Sequence, residues 1–186
     1  LGRIYKLGIV VPKNYTTAVE WFRKSADQGH ADAQCYLGIM YERGCGVPKN
    51  DATAVEWFRK AADQGDAYAQ CNLGIMYASG RGVPQNYATA VVCFRKSADQ
   101  GYANAQYNLG IMYDNGQGVP KDQKEAVRWY RLAADQGHAK AQFRLGVMYE
   151  EGQGFTQDDA TAAEWWTKAA KQGHADALNA LISLGE

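Results

Sequence analysis

The sequence has no excess of charge of either sign, because 20 lysine and arginine residues balance 20 aspartate and glutamate residues. Proteins that bind nucleic acid or an anionic membrane usually present a basic surface, so we expect neither kind of partner. No apolar run approaches the ~18 residues of a membrane-spanning helix, so we expect no membrane insertion. Cysteine and histidine are scarce, with four and three copies in 186 residues, which leaves few candidate ligands for a metal site.

Proline is equally scarce, and its four copies share one position of a pattern that repeats every 36 residues. A period of this length indicates stacked structural units. The first copy begins inside a helical pattern, so we expect further residues upstream of Leu1. We predict a single domain over 1–186 that contains repeats 1–36, 37–72, 73–108, 109–144 and 145–180 and a partial C-terminal capping unit, 175–186.

The second copy indicates that each repeat contains two helices. Apolar residues recur at helical spacing over Ala31–Arg43, and Gly44 is typical of a residue that ends a helix. A second helix is predicted over about Asp51–Asp63, with Asn50 as its N-cap. Alternation with a period of two is absent, so the predicted fold class is all-α. The equivalent N-cap residues in the other copies are Asn14, Asn86, Asp122 and Asp158, and Glu125 completes a capping box with Asp122.

Glycine recurs in the middle of the first helices, at Gly38, Gly74 and Gly110. A glycine there costs about 1 kcal/mol relative to alanine, so we predict that the neighbouring helix passes close to it. One helix pair cannot bury its own apolar face, whereas stacked pairs can. The pattern therefore predicts a solenoid of helix pairs.

The motifs Leu-Gly-Ile-Met-Tyr, Gly-x-Gly-Val-Pro-Lys-Asn and Ala-Val-Glu-Trp-Phe-Arg-Lys-Ala-Ala-Asp-Gln-Gly resemble the Sel1-like repeat, a relative of the tetratricopeptide repeat. The resemblance covers the whole chain. It implies a right-handed α/α superhelical solenoid of five 36-residue helix-pair repeats plus a partial sixth. It also implies a non-enzymatic scaffold or adaptor of bacterial origin that binds other proteins.

In the related tetratricopeptide fold the first helices line the concave side, which assigns the groove to positions equivalent to 32, 35, 39, 42 and 43. These positions lie on one helical face, and asparagine or arginine neighbours could bond a peptide backbone. Acidic residues, including Glu42, Asp114 and Glu150, are expected along one rim. The predicted partner-binding residues are Tyr68, Asn72, Ile75, Asn104, Tyr107, Asn108, Ile111, Lys140, Phe143, Arg144 and Val147.

Two alternatives remain open for this groove. Its aliphatic residues, Ile39, Ile75 and Ile111, could instead pack inside the repeats. The aromatic residues Tyr68, Tyr107 and Phe143 could also be structural, although the repeat framework does not need aromatics there.

The family that this sequence resembles includes a cysteine-rich branch in which a disulfide links the two helices of each pair. The cysteines of this chain do not show the spacing of that branch. Cys35 and Cys71 are one repeat apart, which places their backbones ~8–10 Å apart, beyond the reach of a disulfide. We expect free thiols, which weakly favours a cytoplasmic protein, while a bacterial periplasmic or secreted location stays open.

No catalytic, cofactor or metal constellation emerges. The three histidines, His30, His138 and His174, share one repeat position and are spaced too widely to hold one ion. We predict a monomeric interaction scaffold without cofactors that binds a protein or peptide in its concave groove. The alternatives are a hydrolase of the cell wall or of lactams, and an RNA-binding repeat protein, which the neutral charge disfavours.

Overall fold

A computed structural model describes residues 2–7, 14–154 and 156–184. Within these ranges the secondary structure consists of eleven helices and no strand, which confirms the all-α prediction. The predicted turn around Pro12 lies outside the described residues. The helices, in chain order, are α1 (Gly2–Leu7), α2 (Tyr15–Ala26), α3 (Ala31–Arg43), α4 (Asp51–Asp63), α5 (Ala67–Ser79), α6 (Tyr87–Asp99), α7 (Ala103–Asn115), α8 (Gln123–Asp135), α9 (Ala139–Glu150), α10 (Asp159–Ala170) and α11 (Ala175–Leu184).

The chain divides into two compact units within α6, after Lys96. The first unit contains α1 to α5 and most of α6, and the second contains the end of α6 and α7 to α11. We call the odd-numbered helices first helices and the even-numbered ones second helices, because each repeat contributes one of each in that order.

Local signals set the helix ends, as predicted. The side chain of Asn50 accepts a hydrogen bond from Thr53 N at 3.0 Å, so it caps α4. Gly44 follows α3 with φ 68°, in the left-handed region that favours glycine. The predicted capping box is only half formed, because Asp122 accepts from Glu125 N while its own N–H donates to Tyr113 O at 3.0 Å. The carbonyl group of Tyr113, in the preceding helix, replaces the Glu125 side chain as the acceptor for the Asp122 N–H.

Each helix pair is antiparallel and packs an aromatic ring of its second helix over a glycine of its first. A Cβ added to Gly38 would lie 2.6 Å from Phe58 Cδ1, and Gly110 has the same relationship with Tyr130. The predicted close approach is therefore confirmed, although the neighbouring atoms belong to a buried ring and not to backbone. Phe58 and Tyr130 are both fully buried.

Within each unit, successive pairs are joined by polar contacts that the repeat pattern did not indicate. Buried Gln34 donates to Ala26 O at 3.2 Å and accepts from Gln64 Nε2 at 2.7 Å. Gln142 has equivalent bonds in the second unit, to Ala134 O and from Gln172. A glutamine at this position satisfies backbone groups that the packing of two pairs would otherwise leave unpaired.

The last helix, α11, occupies the predicted start of a sixth repeat. Ala177 is fully buried against α10, but Leu178 and Ile182 are 55% and 56% exposed. The helix therefore covers the end of the second unit while presenting an apolar face of its own.

Candidate functional site

All eleven predicted partner-binding residues lie on first helices, and each is at least partly exposed. Tyr68, Asn104 and Lys140 are the exposed members, and the other eight are half-buried. We call the surface that these residues form within each unit the first-helix face. The aliphatic position differs between copies, because Ile39 is buried whereas Ile75 and Ile111 are half-buried.

In the first unit this face contains a pocket of about 420 Å³. Cys35 and Ile39 of α3 form its buried floor, and the rings of Tyr36 and Tyr68 form part of its wall. The volume is within the range of small-ligand sites. Of the predicted partner-binding residues, only Tyr68 lines it. Five further lining residues occupy positions equivalent to the predicted groove positions, namely Lys6, Asp32, Cys35, Ile39 and Arg43.

Charged groups of both signs line this pocket. Lys6 Nζ lies over the Tyr36 ring, 4.3 Å from the ring centroid. The other cation, Arg43, is the last residue of α3. Burial, followed by the charge of Arg43, lowers the pKa of Lys6. Burial and the carboxylate of Asp66, which accepts from the thiol, raise the pKa of Cys35 well above its ordinary value, so this thiol is protonated at neutral pH.

In the second unit the first-helix face carries two aromatic rings, each stacked on a histidine. The rings of Tyr107 and His138 have centroids 4.7 Å apart, and those of Phe143 and His174 are also 4.7 Å apart. Each histidine opens the following first helix. From the sequence these histidines were considered only as metal ligands, and their shared repeat position was the signal for a structural role.

His138 also caps α9, because its Nδ1 accepts a hydrogen bond from Ala141 N at 3.2 Å. Burial, with a smaller contribution from the charge of Lys140, lowers the pKa of His138. The neutral ring is the form that can accept this bond. The equivalent atom of His174, Nδ1, is buried without a hydrogen-bond partner among the described residues.

The prediction of an acidic rim is wrong for Asp114, which is buried. Its carboxylate accepts hydrogen bonds from Arg144 Nη2 and from the Tyr130 hydroxyl, the latter at 3.3 Å. Burial and the charge of Asp114 raise the pKa of Tyr130. Burial alone would lower the pKa of Arg144, but the hydrogen bond and charge of Asp114 outweigh it and raise that pKa. Arg144 therefore serves an internal pair as well as the surface.

Glu42, another predicted rim residue, is also paired, because it accepts from Arg81 Nη2 at 2.8 Å. Among the asparagines, Asn72 Nδ2 donates to Tyr68 O of its own helix at 2.9 Å. Asn104 Nδ2 donates to the Tyr102 hydroxyl at 2.8 Å. The face thus has fewer unpaired polar groups than the sequence indicated.

Other chemistry is not assembled in the part of the chain that the structure describes. All four cysteines are free thiols. No cluster of three histidine, cysteine, aspartate or glutamate side chains among the described residues could hold a metal ion. Two serine hydroxyls, those of Ser79 and Ser183, donate to carbonyl groups four residues earlier in their own helices. No described helix combines the length and the apolar character of a membrane span.

The sequence model of the Sel1 repeat family matches residues 1–30, 31–66, 67–102, 103–138 and 139–174. The second matched segment, 31–66, contains all of α3 and α4. The family's repeat therefore begins with a first helix, six residues before the predicted boundary at 37. The repeat length is the same. No curated protein sequence matches the chain.

Several solved structures resemble this one. A Sel1 repeat protein from Oxalobacter formigenes is 37% identical with a TM-score of 0.93, over 100% of this chain and 74% of that one. The c5321 protein, a protective antigen of uropathogenic Escherichia coli, is 38% identical with a TM-score of 0.91, over 97% of this chain but only 38% of its own. Cysteine rich protein B of Helicobacter pylori is 23% identical with a TM-score of 0.56, over 70% of this chain and 94% of that one, which shows a shared fold alone.

These structural neighbours come from bacteria, and proteins with Sel1 repeats are typically helical scaffolds without enzymatic activity that mediate protein–protein interactions. With five matched repeats and relatives of more than one-third identity, the chain belongs to the Sel1 repeat family.

Proposed function

We propose that this protein is an interaction scaffold that binds a peptide or a partner protein on its first-helix face. The observation that carries the proposal is the pair of histidine-stacked rings, Tyr107 and Phe143, which remain partly exposed in the second unit. Aromatic side chains that are rigid before binding lose little entropy when a partner covers them. They are also enriched among the residues that dominate binding energy.

Neighbouring side chains suit the same role. Ile111 and Val147 add half-buried apolar surface, and the exposed Asn104 and Lys140 supply hydrogen-bond donors. The ion pair between Asp114 and Arg144 joins α7 to α9 and so fixes the spacing of the two rings. A partner that inserts apolar side chains between Tyr107 and Phe143 would bury a surface that is already ordered.

The proposal is tested by photo-crosslinking and affinity capture from bacterial lysate. A photoreactive phenylalanine analogue at position 104 should crosslink to a partner protein, whereas the same analogue at the exposed second-helix position 124 should not. Tyr107→Ala and Phe143→Ala should each reduce capture of that partner by about tenfold or more, as expected for central aromatic contacts.

Trp165→Ala is the matched control, because Trp165 is a half-buried aromatic residue on the second helix α10 of the same unit. It should leave capture unchanged. Equal capture by the folded Tyr107→Ala and Phe143→Ala variants, with circular dichroism like that of the wild type, would overturn the proposal.

A further inference from the structure

The pocket of the first unit has opposite charges at its two ends. Asp32 lies in the first turn of α3 and Asp66 caps the start of α5, so both carboxylates lie at the N-terminal ends of first helices. Lys6 and Arg43 lie at the C-terminal ends of α1 and α3. Asp32 and Arg43 are eleven residues apart on one helix, which separates their Cα atoms by about 16 Å.

Among the described residues Lys6 has no ion pair, unlike the acidic residues at two equivalent positions. Asp114, equivalent to Lys6 three repeats later, is neutralised by Arg144, and Glu42 is neutralised by Arg81. Within the described residues, no ion pair joins Asp32, Lys6 or Arg43 to another side chain, and Lys6 lies against the Tyr36 ring instead. The Asp66 carboxylate already accepts from Ala69 N and from the Cys35 thiol, whereas Asp32, Lys6 and Arg43 remain available to a ligand that carries both charges.

The pocket dimensions restrict this ligand. An extended peptide spans at most 3.3–3.6 Å per residue, so about four residues cover the distance between the two charged ends once the side chains reach inward. The pocket volume of about 420 Å³ holds part of a peptide of this length, and the rest of the peptide stays exposed to solvent. Between the ends, Cys35 and Ile39 present an apolar floor beside two tyrosine rings, which suits apolar side chains.

We propose that this pocket binds a peptide of about four residues whose two ends are both free. Its ammonium group lies between Asp32 and Asp66, its carboxylate lies between Lys6 and Arg43, and an apolar side chain contacts Ile39. The peptide carboxylate, bound between Lys6 and Arg43, reduces the electrostatic repulsion between these two cations. The assignment rests on the proposed function, in that a peptide occupies the first-helix face, but it concerns a different unit from the rings of Tyr107 and Phe143.

Isothermal titration calorimetry with the tetrapeptide alanyl-leucyl-alanyl-alanine tests the assignment. Acetylation of its amino terminus and amidation of its carboxyl terminus should each weaken binding by about tenfold, because each removes one charge-assisted contact. Asp32→Asn should weaken binding of the free peptide and leave the acetylated peptide unaffected. Arg43→Gln should weaken binding of the free peptide and leave binding of the amidated peptide unaffected.

Asp176→Asn is the matched control, because Asp176 is an exposed aspartate at the equivalent position of α11, outside the pocket. It should bind the free peptide like the wild type. Failure of the free tetrapeptide to bind at millimolar concentration, or equal binding of its free and blocked forms, overturns the pocket assignment. Capture of a partner through Tyr107 and Phe143 is measured in parallel, so failure of the pocket alone is distinguished from failure of the proposed function.

Discussion

Gly74 lies directly beneath the buried ring of Phe94, so that a Cβ at position 74 would approach Phe94 Cε1 to 2.6 Å. The same relationship between a first-helix glycine and a second-helix aromatic residue recurs in the other described pairs. The glycine costs helical stability, but it allows the ring to fill the space between the helices. Packing within a pair thus depends on this contact.

We expect Gly74→Leu to destabilise the first unit. Leucine is a better helix former than glycine by up to about 1 kcal/mol, so propensity alone would stabilise the variant. Displacement of the Phe94 ring costs about 1–3 kcal/mol as overpacking and reverses the sign. Urea denaturation measures the net change, with the exposed Ala52→Leu of α4 as a control that should unfold like the wild type. A Gly74→Leu variant as stable as the wild type would contradict the close packing.

We expect Arg144→Met to destabilise the second unit by about 1–3 kcal/mol, because it leaves the buried Asp114 carboxylate without its cation. The double variant Asp114→Asn, Arg144→Met should recover part of this loss, since the remaining amide is uncharged. Arg128→Met serves as a control, because its pair with Glu125 is exposed and contributes about 0.5 kcal/mol or less. Urea denaturation of the wild type and these three variants separates the two cases. Equal effects of Arg144→Met and Arg128→Met would mean that Asp114 is hydrated in solution.

Stability of the second unit should fall as the pH drops below the ordinary histidine pKa of 6.5. The folded state lowers the pKa of His138, so the unfolded chain binds a proton first and folding excludes it. The stabilisation by the neutral His138 ring is fully present above pH 6.5 and decreases as the pH falls towards the lowered pKa. Protonation also removes the acceptor for the hydrogen bond from Ala141 N. Thermal melts of the wild type and His138→Asn between about pH 7.5 and pH 5 measure the effect. Asparagine keeps a cap without titrating, so parallel pH profiles of the two proteins would refute this role of His138.

Alkylation of the native protein should modify Cys45 before Cys35. Cys45 is partly exposed, whereas Cys35 is buried and its pKa is raised by burial and by the carboxylate of Asp66. The reactive thiolate of Cys35 is therefore rare at about pH 8. Mass spectrometry after timed exposure to iodoacetamide gives the order, and a urea-unfolded sample should show similar rates for both residues. Simultaneous labelling in the native state would indicate that the floor of the pocket opens readily.

The first-helix face could be predicted in its position but not in its chemistry. Helical spacing placed Tyr107 and Phe143 on one face of the first helices, and the structure has both residues on first helices and partly exposed. Spacing did not reveal that Asp114 turns inwards to Arg144, because these residues are 30 positions apart and belong to different repeats. It also did not associate Lys6 with the pocket, since its neighbour Tyr36 is equally distant in sequence.

The order of residues along the chain is enough to specify the repeat, the ends of α3 and α4, the caps at Asn50 and its equivalents, and the glycines that admit a neighbouring ring. Those features depend on interactions within a few residues or on a strict period, which the order of amino acids records directly. Which charges are neutralised and which remain available is known from the fold alone, because it depends on how side chains of different repeats meet across the first-helix face. Among the described residues, burial makes Asp114 and Arg144 an internal pair, whereas Asp32 and Arg43 are exposed and have no ion pair.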